Sequence, residues 1–256
     1  MCLIVFALES HPKYRLVLAA NRDEYYARPT LPAGYWPDNP ATLAGRDLQF
    51  GGTWLGVTTT GRLAVITNYR DPKWQVPNPL SRGMLVAEYL TGKMPPADFL
   101  KYLKNNGHRY DGFNLLFGDL SGLRYYSNRS ETENVVSPGI HGLSNHLLDT
   151  PWPKVTSAKG KLEPLLREDT EEPEEYFTLL ADKTPYPDDT LPDTGVGIKQ
   201  ERLLSSIFVT GSTYGTRFST LLFIDKENRL RFIERSHNIQ GASNATSEFR
   251  FRLQPS

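Results

Sequence analysis

A single cysteine stands among the 256 residues of this chain, so no disulfide can form within it and no cysteine-built zinc cage is available. Nothing here points to an oxidising compartment. Net charge is missing as well: 29 Lys and Arg balance 29 Asp and Glu. A chain without a basic excess carries no electrostatic footprint for nucleic acid or for an anionic membrane surface. Long apolar runs are also lacking. The first one, Cys2–Leu8, spans seven residues with no basic stretch before it, which is too short for a membrane span and is not a signal peptide. The expected location is cytoplasmic, with no transmembrane segment. The five histidines show no HExxH or His/Cys spacing, so no metal site is expected and most of them are expected at the surface. Neither a phosphate-binding loop nor a dinucleotide fingerprint occurs.

What is present reads as one globular domain over residues 1–256, with 39% hydrophobic and 23% charged residues. Cys2–Leu8 and residues 14–20 are apolar at every position, as in strands covered on both faces, and the polar turn at residues 10–13 joins them as a hairpin. The second strand ends at Asn21-Arg22-Asp23-Glu24. A loop rich in Pro29, Pro32, Gly34, Pro37 and Pro40 follows. Further hairpins are expected over residues 53–58 with 63–67, and 113–117 with 123–126. Residues 141–145 read as extended. Helices are expected over residues 82–90 with Ser81 as N-cap, from Pro96 to Gly107, over 155–166 and over 173–181. Residues 184–197 read as a Pro- and Asp-rich surface loop. Strands at 206–209, 217–224 and 230–234 close the chain. Short turns between strands imply mainly antiparallel sheets, and strands apolar on both faces require two covered faces. The expected class is α+β, a four-layer αββα sandwich of two stacked sheets flanked by helices.

Chemistry centres on the position of that one cysteine. Removal of Met1 ahead of a small residue would expose Cys2 with a thiol and an α-amine on the same residue. An α-amine with a pKa of about 7.7–8.0 is partly neutral near pH 7 and can serve as base to its own thiol, with no separate histidine. A cysteine at a strand start is also commonly a buried, inert side chain. The hairpin brings Asn21-Arg22-Asp23-Glu24 to the Cys2 end, where a carboxylate could hold the α-ammonium. The same four residues also read as a solvated polar turn. Asn68, after the apolar run 63–67, and Asn145, in Ser144-Asn145-His146, could each donate to an oxyanion or sit in a turn. Arg217 opens an apolar strand and needs an anion, on the protein or on a substrate.

Met1-Cys2-Leu3-Ile4, Asn21-Arg22-Asp23-Glu24, Gly51-Gly52-Thr53-Trp54-Leu55-Gly56, Thr67-Asn68-Tyr69-Arg70 and Gly215-Thr216-Arg217 with Ser219-Thr220 follow one another along nearly the whole chain. In that order they resemble the NRDE family, that of the transport and Golgi organisation protein 2. More distantly they resemble the N-terminal-nucleophile hydrolases, which include bile salt hydrolases and penicillin V acylases. The resemblance implies a cysteine amidohydrolase acting on a linear C–N bond. Its catalytic residues would be Cys2, Asp23, Asn68, Asn145 and Arg217, with substrate contacts at Asn21, Arg22, Trp54, Tyr69 and Arg70. One departure stands out: Ala20 replaces the Arg of the hydrolases' Arg-Asn-x-Asp, so that charge is either missing or supplied by Arg22 or Arg70. The family's other implication is a binding and trafficking protein on the same scaffold. No cofactor is required in either reading; the ligand would be a small amide substrate, or an apolar molecule such as haem or acyl-CoA.

Overall fold

The computed structural model describes residues 2–130 and 133–254, with the main chain alone for Cys2. Two compact units account for the chain. One comprises Met1–Ala27, Ser137–Ser144 and Leu148–Phe251, and the other Arg28–Val136, Asn145–Leu147 and Arg252–Ser256.

The first unit is built on β1 (Cys2–Leu8), β2 (Tyr14–Tyr25), β10 (Gly139–Leu143), β11 (Tyr214–Asp225), β12 (Arg229–His237) and β13 (Ser243–Arg252), in the order β10-β1-β2-β11-β12-β13. Odd residues of β1 and β2, namely Leu3, Val5, Ala7, Val17 and Ala19, face the helices α3 (Pro153–Arg167) and α4 (Pro173–Leu180). Val155, Ala158 and Leu162 of α3 recur at helical spacing and complete that core with Tyr176, Phe177 and Leu180 of α4. Ile4, Phe6 and Leu18, on the opposite face, are also fully buried, as the uninterrupted apolar runs require.

The second unit is a seven-stranded meander in sequence order. It comprises β3 (Thr30–Trp36), β4 (Asn39–Asp47), β5 (Leu55–Thr58), β6 (Leu63–Asn68), β7 (Phe113–Asp119), β8 (Gly122–Ser127) and β9 (Glu133–Val135). Helices α1 (Gly83–Thr91) and α2 (Pro96–Asn106) cover it through Leu85, Val86, Tyr89, Phe99 and Leu103. Gly52 lies so close to the start of α1 that a Cβ would sit 2.5 Å from the Gly83 carbonyl carbon, so backbone meets backbone there. The strand pairings are antiparallel and the class is α+β, as expected.

Several local expectations are corrected. The Pro-rich stretch after Glu24 is not a loop but the β3–β4 hairpin. Pro32 is tolerated because β3 is the outermost strand, and Pro40 falls in the stretch where the β3–β4 register slips. Asn21-Arg22-Asp23-Glu24 is not a turn, because β2 continues through it to Tyr25. Ser81 is not the cap of α1; Arg82 is, without a side-chain cap bond. Residues 206–209 form no strand, and β9, β13 and a short helix α5 (Ile198–Leu203) were not foreseen. Of the histidines only His108 is exposed.

Candidate functional site

In the first unit the predicted residues collect where β1 begins. Cys2 pairs with Arg22, and Leu3 with Asn21. The strands run antiparallel, so the main-chain nitrogen of Cys2 lies toward the Asp23 end of the pairing. On its other side β2 pairs with β11 through a bulge. Thr216 pairs with Asp23 and Phe218 with Arg22, leaving Arg217 as the extra residue. The slip has two consequences. Arg217 and Phe218 both stand on the Arg22 face, and Thr216 and Ser219, three apart in sequence, both reach the opposite face to meet Asp23 and Asn21.

Asp23 is 2% exposed and accepts a 2.6 Å hydrogen bond at Oδ1 from the Thr216 hydroxyl. That hydroxyl in turn accepts from the Val209 N–H at 2.9 Å, and Tyr214 donates to the Asp23 carbonyl at 2.8 Å. Asn21 is committed on every side. Its amide nitrogen donates to the carbonyls of Leu180 (2.8 Å) and Ile207 (2.9 Å), and its oxygen accepts from Ser219 at 2.6 Å. Arg22 is buried, with its guanidinium 3.7 Å from Glu24. Arg217 is half-buried and donates to the Tyr25 carbonyl at 3.3 Å. Burial, and then the neighbouring Arg22 charge, hold its pKa below the ordinary arginine value. Ala20 is buried two residues before Arg22 on the same face, so the nearest β2 cation to the gap it leaves is Arg22.

The other predicted residues lie in the second unit. Asn68 ends β6, and the Asn145 amide donates to its carbonyl at 2.9 Å. Arg70 donates its main-chain N–H to the Asn145 carbonyl at 2.8 Å, with its guanidinium 3.4 Å from the Asn145 Oδ1. The Tyr69 ring lies 4.9 Å from that of His146 and 5.8 Å from the Arg129 guanidinium, which pairs with Asp71 at 2.6 Å. Trp54 is buried over Gly45, where a Cβ would fall 2.1 Å from the indole. Asn21, Arg22, Asp23, Arg217 and the Cys2 backbone thus share the first unit; Trp54, Asn68, Tyr69, Arg70 and Asn145 share the second.

The family model of Transport and Golgi organisation 2 matches residues 1–238. The chain belongs to the Transport and Golgi organisation 2 family. The mouse Transport and Golgi organization 2 homolog is 38% identical over 99% of this chain and 100% of its own length. The human homolog is 37% identical over the same shares. Among solved structures, the C2A mutant of conjugated bile acid hydrolase from Clostridium perfringens superposes with a TM-score of 0.52. The match covers 99% of this chain and 98% of that one, at 9% identity. At that identity the likeness speaks for fold alone, and the fold is that of the N-terminal-nucleophile hydrolases. This member of the Transport and Golgi organisation 2 family has no helix, among the described residues, long and apolar enough to cross a membrane.

Sequence reasoning missed Thr216, Ser219, His237 and Asn114 as site-building residues. Asn114, fully buried, bridges Thr67 (3.1 Å) and the His146 carbonyl (2.9 Å) and accepts from Tyr125 at 2.7 Å. For Thr216 and Ser219 one signal existed. Two polar residues three apart in an apolar strand break the two-residue alternation, which is how a bulge reads in sequence.

Proposed function

We propose that the protein is a cysteine amidohydrolase that cleaves a linear C–N bond with Cys2 as nucleophile once Met1 is removed. Met1 itself lies outside the described residues. The observation that carries the reading is the β1–β2 register, which pairs Cys2 with Arg22 beside the buried Asp23. A free α-amine at Cys2, held by Asp23, takes the thiol proton as sulfur attacks the substrate carbonyl carbon. The same amine returns the proton to the departing nitrogen as the C–N bond breaks and a thioester forms. Water then hydrolyses the thioester, releasing the acid and restoring the thiol. Arg22, paired with the Cys2 position, supplies the positive charge that Ala20 does not.

Intact mass before and after brief iodoacetamide treatment tests the first requirement. The expected result is a chain lacking Met1 with one alkylation, faster than that of a free thiol at pH 7. A retained Met1, or an inert Cys2 in the folded protein, would overturn the reading in favour of ligand binding, to be followed with haem and acyl-CoA titrations. Cys2→Ala should abolish amide turnover while leaving the melting temperature unchanged. The oxyanion contribution that the family resemblance assigns to Asn68 and Asn145 is measured separately by Asn68→Ala and Asn145→Ala, each expected to lower kcat by about 10²–10³-fold.

A further inference from the structure

Ser219 and His237 stand 2.9 Å apart, hydroxyl oxygen to Nε2, at the same end of the six-stranded sheet. The pair invites reading as a second nucleophile with its base, and the direction of the hydrogen bonds excludes that. Both N–H groups of Asn21 are spent on the Leu180 and Ile207 carbonyls, which fixes its oxygen as an acceptor. The Ser219 proton therefore goes to Asn21 at 2.6 Å. With its single proton spent, Ser219 can only accept from His237, so Nε2 carries the ring proton. The other ring nitrogen, Nδ1, is buried with no hydrogen-bond partner, as a bare lone pair. Phe208 meets the ring edge-on at 4.9 Å. Burial, and then the cations Arg235 and Lys183 that face the imidazole, hold its pKa down to about 4, so it is neutral at pH 7.

We propose that His237 is a positioning residue for Asp23. Held as the Nε2–H tautomer, it fills the Ser219 lone pair and so aims the Ser219 hydroxyl at Asn21. Asn21 then pins β2 to the end of α4 and to Ile207. Ile207 belongs to the same segment whose Val209 N–H donates to Thr216, the donor to Asp23. One directed chain thus runs across β12, β11 and β2 and ends on the Leu180 and Ile207 carbonyls, and Ile207 lies two residues before the Val209 N–H that holds the Asp23 donor. Its catalytic consequence rests on the amidohydrolase reading, whereas the tautomer and the coupling do not.

The experiment uses the full chain labelled with ¹⁵N-histidine and the variants His237→Phe, His237→Gln and Ser219→Ala. In the wild type, His237 should show a protonated Nε2 and an unprotonated Nδ1 that does not titrate near neutrality. The Nδ1–H tautomer would overturn the proposal. His237→Phe should shift the ¹³C titration of the Asp23 carboxylate, and His237→Gln, which can donate at the same place, should restore it. The stability effects of His237→Phe and Ser219→Ala should be non-additive; additive effects, or an unmoved Asp23 titration, would also overturn it. Cys2 alkylation should slow by roughly fivefold in His237→Phe, the scale of one net hydrogen bond. A wild-type Cys2 that does not alkylate overturns the amidohydrolase reading alone, since the tautomer, the Asp23 titration and the non-additivity are read without it.

Discussion

Tyr89 and Asn21 show how differently two buried polar side chains can stand. The Tyr89 hydroxyl is buried without a hydrogen-bond partner, and burial pushes its pKa up. Its ring packs between Phe99 and Phe117 with the Arg62 guanidinium 4.0 Å from its centre. A phenylalanine keeps all three ring contacts and removes the orphaned oxygen. Tyr89→Phe should therefore leave stability within about 1 kcal/mol of wild type or raise it, measured by urea unfolding. Asn21 is the opposite case, since truncation strands two carbonyls and a hydroxyl in the interior. Asn21→Ala should cost about 2–4 kcal/mol by the same measurement, each stranded group adding its own desolvation penalty. A loss below about 1 kcal/mol would mean that water replaces the side chain.

Among the elements, close approach decides what sequence can stand where. Gly45 of β4 lies beneath the Trp54 indole and Gly52 against the first turn of α1. The indole has some freedom to give way, whereas the Gly83–Met84 backbone, 2.5–2.8 Å from a Cβ at Gly52, does not. Gly45→Ala should destabilise by about 1–3 kcal/mol, and Gly52→Ala by more, read from thermal unfolding. The clamp between β10 and α3 is electrostatic. His141 donates to Asp149 (2.7 Å) and faces the Ser137 carbonyl (2.9 Å) with its other nitrogen, while Lys159 of α3 holds the second Asp149 oxygen at 2.6 Å. Both imidazole nitrogens face acceptors, so the doubly protonated ring satisfies the site. The Asp149 hydrogen bond, and then the Ser137 carbonyl, outweigh burial and raise the His141 pKa above 6.5. Burial alone would raise the Asp149 pKa, but the bonds from His141, Lys159 and the Gly142 N–H bring it down to about 2.

At the scale of the whole molecule these shifts set opposing limbs of the pH–stability curve. His141 has a raised folded pKa, so its contribution is complete below 6.5 and is lost as pH rises through the folded value. Asp149 has a depressed one, so its contribution is present above 3.8 and is lost as pH falls through about 2. His237 is also depressed, so its stability is present above 6.5 and is lost as pH falls toward about 4. The two histidines therefore act on opposite sides of pH 6.5, His237 through the loss below it and His141 through the loss above it. His141→Asn should flatten the alkaline decline, and His237→Gln should flatten the loss between pH 6.5 and 4, both followed by the urea midpoint from pH 3 to 9. An unchanged slope in either variant would contradict the corresponding assignment.

Strong local patterns made much of this molecule legible in advance. The two-faced apolar runs of β1 and β2, the short turns of β5–β6 and β7–β8, and the Pro-opened helices α2, α3 and α4 follow from side-chain period and backbone chemistry within a few residues. The ordered motifs around Cys2, Asn21, Asn68 and Arg217 likewise identified the family and the fold type before any coordinate. Local chemistry misled where the outcome depended on position in a sheet: Pro32 forbids a central strand but not the outermost β3, and Pro40 of β4 falls where the β3–β4 register slips. It was silent where the partner is remote. Asn21 is bonded to groups 159 and 186 residues away, and the slip that the Thr216–Ser219 spacing hints at has its partners, Asp23 and Asn21, only in the pairing. The sequence by itself determined the elements and the chemical groups available, because both are properties of neighbouring residues. The tertiary structure decided which way each hydrogen bond runs and which residues of β2 and β11 meet beside the start of β1, because donors, acceptors and burial are set by strands that meet only on folding.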